Sequence, residues 1–67
     1  MENGTVKWFN PTKGYGFIQM EDGTRDVFVH ITELERSGIS NLVEGQKVSF
    51  ELANAKGKTS AVNLKLA

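Results

Sequence analysis

The sequence contains no cysteine, only one histidine and only one proline among its 67 residues. A disulfide framework and a thiolate metal site are therefore excluded, and His30 could hold zinc only if several carboxylates converged on it. No stretch approaches the roughly 20 apolar residues of a membrane span, and the N-terminus lacks the basic and apolar regions of a signal peptide. We therefore expect a cytoplasmic chain with no metal or other cofactor and no membrane contact.

The chain also lacks an excess of charge of either sign, because eight basic and eight acidic residues give a formal net charge of zero. It is not a strongly basic nucleic-acid binder, so any attraction to phosphate depends on where its lysines lie. Lys7 and Lys13 both lie among aromatic residues. The short length predicts that residues 1–67 form a single domain with one small core.

Alternating apolar and polar residues predict five short strands. We place them at residues 6–10, 15–20, 26–31 and 46–54 and in a last segment that carries Val62, Leu64 and Leu66. Pro11 ends the first strand, and the Asp22-Gly23 pair predicts a tight hairpin between the second and third. The polar segment NAKGKT, residues 54–59, is expected to close a second hairpin.

Residues 31–45 form the least regular part of the sequence. Thr32 and Glu35 have the spacing of a capping box, and Gly38 is a helix-ending residue. This segment predicts one helical turn rather than a full helix.

Five short strands with almost no helix predict a closed barrel, because a flat sheet of this size would have long unpaired edges. Strand alternation places Tyr15, Phe17, Phe28 and His30 on one outer face. The predicted interior consists of the residues of opposite parity and their counterparts on the later strands: Val6, Ile18, Val27, Val29, Val48, Phe50, Val62 and Leu64.

Trp8 and Phe9 leave two alternatives open. Strict alternation puts Trp8 on the same side as Val6, which would bury Trp8 and expose Phe9. A bulge near Lys7 would instead move Trp8 to the outer rings and leave Phe9 partly covered.

An aromatic cluster of this kind on a small chain indicates an interaction site, since monomers rarely expose a contiguous apolar patch. Rings beside lysines suit single-stranded nucleic acid, whose bases stack on rings, and Gly14 and Gly16 would allow a ligand backbone to approach. The alternatives are packing alone, a protein-binding or self-associating module, and an enzyme that uses His30 as a base. No carboxylate pair or nucleophile accompanies that histidine, so catalysis is disfavoured.

Three sequence blocks, GTVKWFNPTKGYGFI, DVFVHI and EGQKVSFE, resemble the bacterial cold-shock protein family in order and across essentially the whole chain. The segment KGYGFIQM is also close to the aromatic signature of RNA recognition motifs. Only twelve residues precede Lys13, however, which is too few for the β-α-β stretch that precedes that signature.

The cold-shock resemblance implies an all-β fold, a five-stranded antiparallel OB-fold barrel. It also implies a protein that binds single-stranded RNA and single-stranded DNA and acts as an RNA chaperone with effects on transcription and translation. We expect this action to need no ATP. The charged surface predicts a monomer. Two departures concern Ile31 and Ile39, which stand where many members carry an aromatic and would reduce affinity or footprint. The implied binding face, which puts Trp8 at the surface, comprises Lys7, Trp8, Lys13, Tyr15, Phe17, Phe28 and His30, with Ile31 and Ile39 at its end.

Overall fold

The computed structural model describes residues 1–55 and 57–66, and within them the chain forms five strands and one short helix. The elements are β1 (Glu2–Asn10), β2 (Tyr15–Met20), β3 (Asp26–His30), α1 (Ile31–Arg36), β4 (Lys47–Ala55) and β5 (Lys58–Leu66). In this described part of the chain no helix is long and apolar enough to span a membrane.

The strands close into a barrel in the order β1-β2-β3-β5-β4, with β4 returning to β1. The predicted all-β, five-stranded barrel is confirmed, with one refinement of its strand directions. The junction between β3 and β5 is parallel, through Phe28 opposite Ser60. Five strands cannot alternate in direction around a closed ring, so one junction must be parallel.

The core contains the predicted interior residues except Val62. It also takes Leu34 from α1 and Leu42 from the loop after it. The buried apolar residues are Val6, Ile18, Met20, Val27, Val29, Leu34, Leu42, Val48, Phe50, Ala61 and Leu64.

The expectation that Val62 points inward is wrong because β5 contains an irregularity. The register of β4 and β5 shifts between Ser49 and Glu51, where β5 carries one residue more than β4. Asn63 adopts a positive φ of 51° in this stretch. The extra residue reverses the side-chain parity, so Ala61 is buried and Val62 is only half-buried.

Two leucines of the later strands, neither of them in the predicted interior, are exposed. Leu52 is 36% exposed and Leu66 is 53% exposed. β1 pairs with β4 only from Lys47 to Phe50, so Leu52 lies beyond the stretch of β4 that β1 covers.

The helix begins one residue after His30, whose Nδ1 accepts the Thr32 N–H at 3.2 Å. The predicted capping box is therefore wrong, since Thr32 already lies inside the first turn, and the third strand ends at His30 rather than Ile31. Gly38, with a φ of 75°, follows the helix end as predicted.

The β2–β3 connection is the predicted hairpin turn, with Gly23 at a φ of 73°. Asp22 accepts the Thr24 N–H at 3.0 Å and the Thr24 hydroxyl at 2.7 Å. The backbone N–H of Thr24, followed by its hydroxyl, lowers the pKa of Asp22 below its ordinary value. This carboxylate stabilises the turn in its ionised form.

Strands β1 and β5 extend further than predicted, whereas β4 is displaced by one residue from its predicted bounds. Residues 2–5 pair with β4, although their polar side chains give no alternating signal. The second hairpin is confirmed, but most of its predicted loop is strand, because Asn54 pairs with Thr59 and Ala55 with Lys58. Lys56 of that loop lies outside the described residues.

Candidate nucleic-acid interface

Strand pairing brings five rings onto one outer face of β1, β2 and β3. Phe17 lies opposite Phe28, Tyr15 lies opposite His30, and Trp8 lies opposite Phe17. Residues directly opposite one another on paired strands project to the same side of the sheet. We call these five residues the ring face.

A bulge in β1 places Trp8 on the ring face. Val6 pairs with Ile18 and Trp8 pairs with Phe17, so Lys7 is the extra residue. Val6 is therefore buried, Trp8 is 38% exposed, and Phe9 packs partly buried against the core. The bulge alternative from the sequence is confirmed.

The rings contact one another in a continuous network. The Trp8 centroid lies 5.6 Å from that of Tyr15 and 5.3 Å from that of Phe17. Phe28 lies 5.9 Å from both Tyr15 and Phe17, and 6.3 Å from His30. Tyr15 and Phe28 are stacked at an interplanar angle of 27°, whereas Phe17 and Phe28 meet edge to face at 73°. Each of the five rings is therefore in contact with at least one other ring.

The two lysines close to ring-face residues in the chain differ in their ion pairing. Lys7 Nζ lies 2.9 Å from Asp26 Oδ2, and both side chains are partly exposed. Lys13 is exposed in the β1–β2 turn, where its backbone N–H donates to Asn10 Oδ1 at 3.1 Å. Within residues 1–55 and 57–66 no salt bridge involves Lys13. Its ammonium group is therefore the more available of the two cations.

His30 is exposed, yet one of its ring nitrogens is committed. Nδ1 accepts the Thr32 N–H and lies 3.0 Å from Thr32 Oγ1. Among the described residues, Nε2 has no hydrogen-bond partner. The ring therefore offers one face and one nitrogen to a ligand.

The two glycines of this region do not open the surface to a ligand, contrary to the sequence expectation. Gly16 is buried, and a Cβ there would lie 2.4 Å from the carbonyl oxygen of Trp8 and 2.7 Å from Phe9 Cα. Gly14 is also buried, and a Cβ there would lie 3.2 Å from Ile31 Cγ2. Both glycines allow close packing within the protein instead.

The two isoleucines lie differently with respect to the ring face. Ile31 begins α1, directly after His30, is half-buried, and donates its N–H to Gly14 O at 2.8 Å. Ile39 packs against the hydrophobic core. Neither takes part in the ring network.

Asp26 is the residue at this surface that sequence reasoning missed. It lies 19 residues from Lys7 along the chain, and the contact crosses β2. Strand parity could have placed Asp26 on the outer face with Phe28, but alternation does not reveal ion pairs across an intervening strand.

Comparison with known proteins gives a match over nearly the whole chain. A family model described as the 'Cold-shock' DNA-binding domain matches residues 2–67. The chain is 56% identical over 69 residues to Cold shock protein CspA of Rhizobium meliloti, with both chains fully covered. It is 51% identical to Cold shock-like protein CspE of Escherichia coli K12, covering 91% of this chain and 88% of the relative. Probable cold shock protein A of Mycobacterium tuberculosis is 56% identical, with 82% of each chain covered.

Proposed function

The chain belongs to the 'Cold-shock' DNA-binding domain family, and we propose that its ligands are single-stranded RNA and single-stranded DNA. As a member of this family, it is a nucleic-acid-binding protein and not an enzyme. Family membership favours nucleic acid over the protein-docking alternative. The ring face is the proposed binding surface, with Lys7 and Lys13 beside it and Ile31 and Ile39 at its end.

The observation that carries this proposal is the unbroken network of rings on the paired strands β1, β2 and β3. Neighbouring centroids lie between 5.3 and 6.3 Å apart. Unpaired bases stack on such rings, whereas the bases of a duplex are already stacked, and its grooves accept helices or ribbons rather than a sheet surface. Each stacked base contributes about 1–3 kcal/mol, so three or four stacked bases supply roughly 3–12 kcal/mol toward the roughly 8–12 kcal/mol of micromolar to nanomolar binding.

Binding of this kind requires few ion pairs. Lys13 is available to phosphate, and Lys7 becomes available if it leaves Asp26. Each neutralised phosphate on a single strand contributes a slope of about −0.7 to the dependence of log K on log salt. We therefore expect shallow salt dependence and weak base preference, since every base has a stacking surface.

The same surface supports an RNA chaperone that works without ATP. A protein that binds only the open strand stabilises the open form of a hairpin by a free energy of RT ln(1 + [L]/Kd). Here [L] is the concentration of free protein, and Kd is its dissociation constant for the open strand. By stabilising the open form the protein would keep transcripts unstructured and influence transcription and translation. We propose that it acts as a monomer in the cytoplasm.

The test is a fluorescence titration of Trp8, which is the only tryptophan of the chain. An oligothymidylate of about eight nucleotides lies within the roughly 4–16 nucleotides that one OB fold spans. We expect it to quench Trp8 strongly, and a duplex of the same length to leave the signal unchanged. Phe17→Ala and Phe28→Ala should each weaken binding by about tenfold or more, because each removes a stacking surface.

Leu66→Ala is the matched control, since it truncates a 53% exposed apolar side chain on β5, away from the ring face. It should bind like the unmodified chain. If both phenylalanine variants bound as tightly as the unmodified chain, or if the duplex bound equally well, the stacking proposal would be wrong. A hairpin-opening assay in which opening appears only with hydrolysed ATP would contradict the proposed chaperone mechanism.

A further inference from the structure

His30 is at once a member of the ring face and the N-cap of α1. Its backbone is extended, with a φ of −102° and a ψ of 150°, and its Nδ1 accepts the Thr32 N–H. The cap therefore ties the position of this ring to the start of the helix. A ligand-facing side chain is in this way fixed by an intramolecular hydrogen bond rather than left free to rotate.

Thr32 supplies two polar groups to the same ring nitrogen. Its backbone N–H lies 3.2 Å from Nδ1, and its hydroxyl oxygen lies 3.0 Å from Nδ1. A backbone N–H can only donate, so Nδ1 must present a lone pair in this arrangement. In a neutral imidazole whose Nδ1 accepts, the proton resides on Nε2.

We propose that Thr32 is a positioning residue for nucleic-acid binding, which holds His30 as the neutral Nε2–H tautomer with its ring fixed beside Phe28. This inference rests on the proposed function of the ring face. In this state His30 offers a stacking surface and one hydrogen-bond donor, suited to a base carbonyl, a base ring nitrogen or a phosphate oxygen. The residue would then present its Nε2–H to an acceptor on the ligand.

The test separates tautomer from binding. Long-range proton–nitrogen NMR correlations, recorded without nucleic acid at a pH where the ring is neutral, report which nitrogen of His30 carries the proton. The unmodified chain should show Nε2–H alone. Thr32→Val has nearly the same shape and keeps the backbone N–H, but without the hydroxyl only the longer contact of 3.2 Å remains on Nδ1. The Nδ1–H tautomer should therefore become detectable beside the Nε2–H form, and Thr32→Ser should restore the single form.

Binding of the oligothymidylate is then measured for the same variants. We expect Thr32→Val to bind about threefold to tenfold more weakly, the range that one net hydrogen bond supports, and Thr32→Ser to bind normally. In a His30→Ala background the additional Thr32→Val change should have no effect on affinity, because the threonine acts only through the histidine. Thermal unfolding checks that each variant is folded.

Two results would overturn the inference while the proposed function stands. One is normal oligonucleotide binding by an unmodified chain whose His30 shows mixed tautomers. The other is an equal loss of affinity from Thr32→Val with and without His30, which would mean that the threonine acts through the fold. Failure of the unmodified chain to bind at all would instead overturn the proposed function.

Discussion

Lys7 on β1 reaches across β2 to form an ion pair with Asp26 on β3, with 2.9 Å between Nζ and Oδ2. The bulge that moves Trp8 outward is at this lysine. One backbone irregularity therefore places both Trp8 and Lys7 on the outer surface of the barrel. Because Asp26 pairs with Lys7, a phosphate that bound Lys7 would have to displace this carboxylate.

Asp26→Asn should raise the affinity for single-stranded nucleic acid. An exposed ion pair of this kind is worth about 0.2–1 kcal/mol, so releasing Lys7 should strengthen binding by about 1.5-fold to fivefold at low salt. One additional phosphate contact would steepen the slope of log K against log salt by about 0.7. Titration of oligothymidylate at several salt concentrations measures both quantities.

Glu51→Gln is the matched control, because it removes the same charge from β4, a strand that carries no residue of the ring face. If general charge were responsible, both variants would bind more tightly to the same extent. A loss of affinity in Asp26→Asn would show that the carboxylate itself contacts the ligand, and the competition argument would then be wrong.

The sequence predicted the ring face well because its members lie on strands with regular alternation and a recognisable hairpin. Tyr15, Phe17 and Phe28 follow from parity alone. Trp8 does not, since a bulge reverses parity at a position that hydrophobic spacing leaves ambiguous. The resemblance, not the periodicity, chose the correct alternative.

The details that the sequence missed depend on contacts between distant parts of the chain. The pair of Lys7 with Asp26 crosses a strand, and the burial of Gly16 results from how closely β1 approaches β2. The extra residue of β5 near Asn63 was missed in the same way, although it turns Val62 out of the core. The register shifts in β1 and β5 reverse side-chain parity at positions that local hydrophobic patterns do not mark.

Gly16→Ala should destabilise the fold rather than weaken ligand contacts directly. The new Cβ would lie 2.4 Å from the carbonyl oxygen of Trp8, a backbone atom that cannot move without shifting β1. Crowding of this kind costs roughly 1–3 kcal/mol or more. Urea unfolding should show a lower midpoint, and Trp8 fluorescence should report a disturbed ring face.

Gly23→Ala is the comparison for that experiment. Its φ is 73°, but a Cβ there would meet nothing within 4 Å. The expected cost is therefore only the left-handed backbone strain of about 1–2 kcal/mol, and oligonucleotide affinity should be unchanged in the folded protein. A larger loss of stability in Gly23→Ala than in Gly16→Ala would contradict the close-approach argument.

Asn63→Ala should destabilise the barrel by about 1–2 kcal/mol, because alanine tolerates a left-handed φ less well than asparagine. The substitution also removes the hydrogen bond of 2.9 Å from Asn63 Nδ2 to Glu51 Oε1. Asn63→Gly loses the same hydrogen bond but adopts φ 51° without strain, so it should be the more stable of the two variants. Equal stabilities in chemical denaturation would show that backbone strain is not the determining factor at this position.

Ile31→Phe should extend the stacking surface beyond His30. Ile31 is half-buried at the first position of α1, and its Cγ2 lies over the space where a Gly14 side chain would be. A ring there would add a surface for one further base at the end of the ring face, where isoleucine can pack but cannot stack. Part of the roughly 1–3 kcal/mol of one stacked base would be offset by losing the packing of Ile31, so we expect about threefold to tenfold tighter binding.

The gain should appear only when the oligonucleotide is long enough to reach the added ring, so affinities measured against a series of lengths locate it. Ile31→Leu changes the side chain at the same position without adding a ring and should show no gain. A gain that is equal for both variants, or that is already complete on the shortest oligonucleotide, would mean that altered packing of α1 and not stacking is responsible.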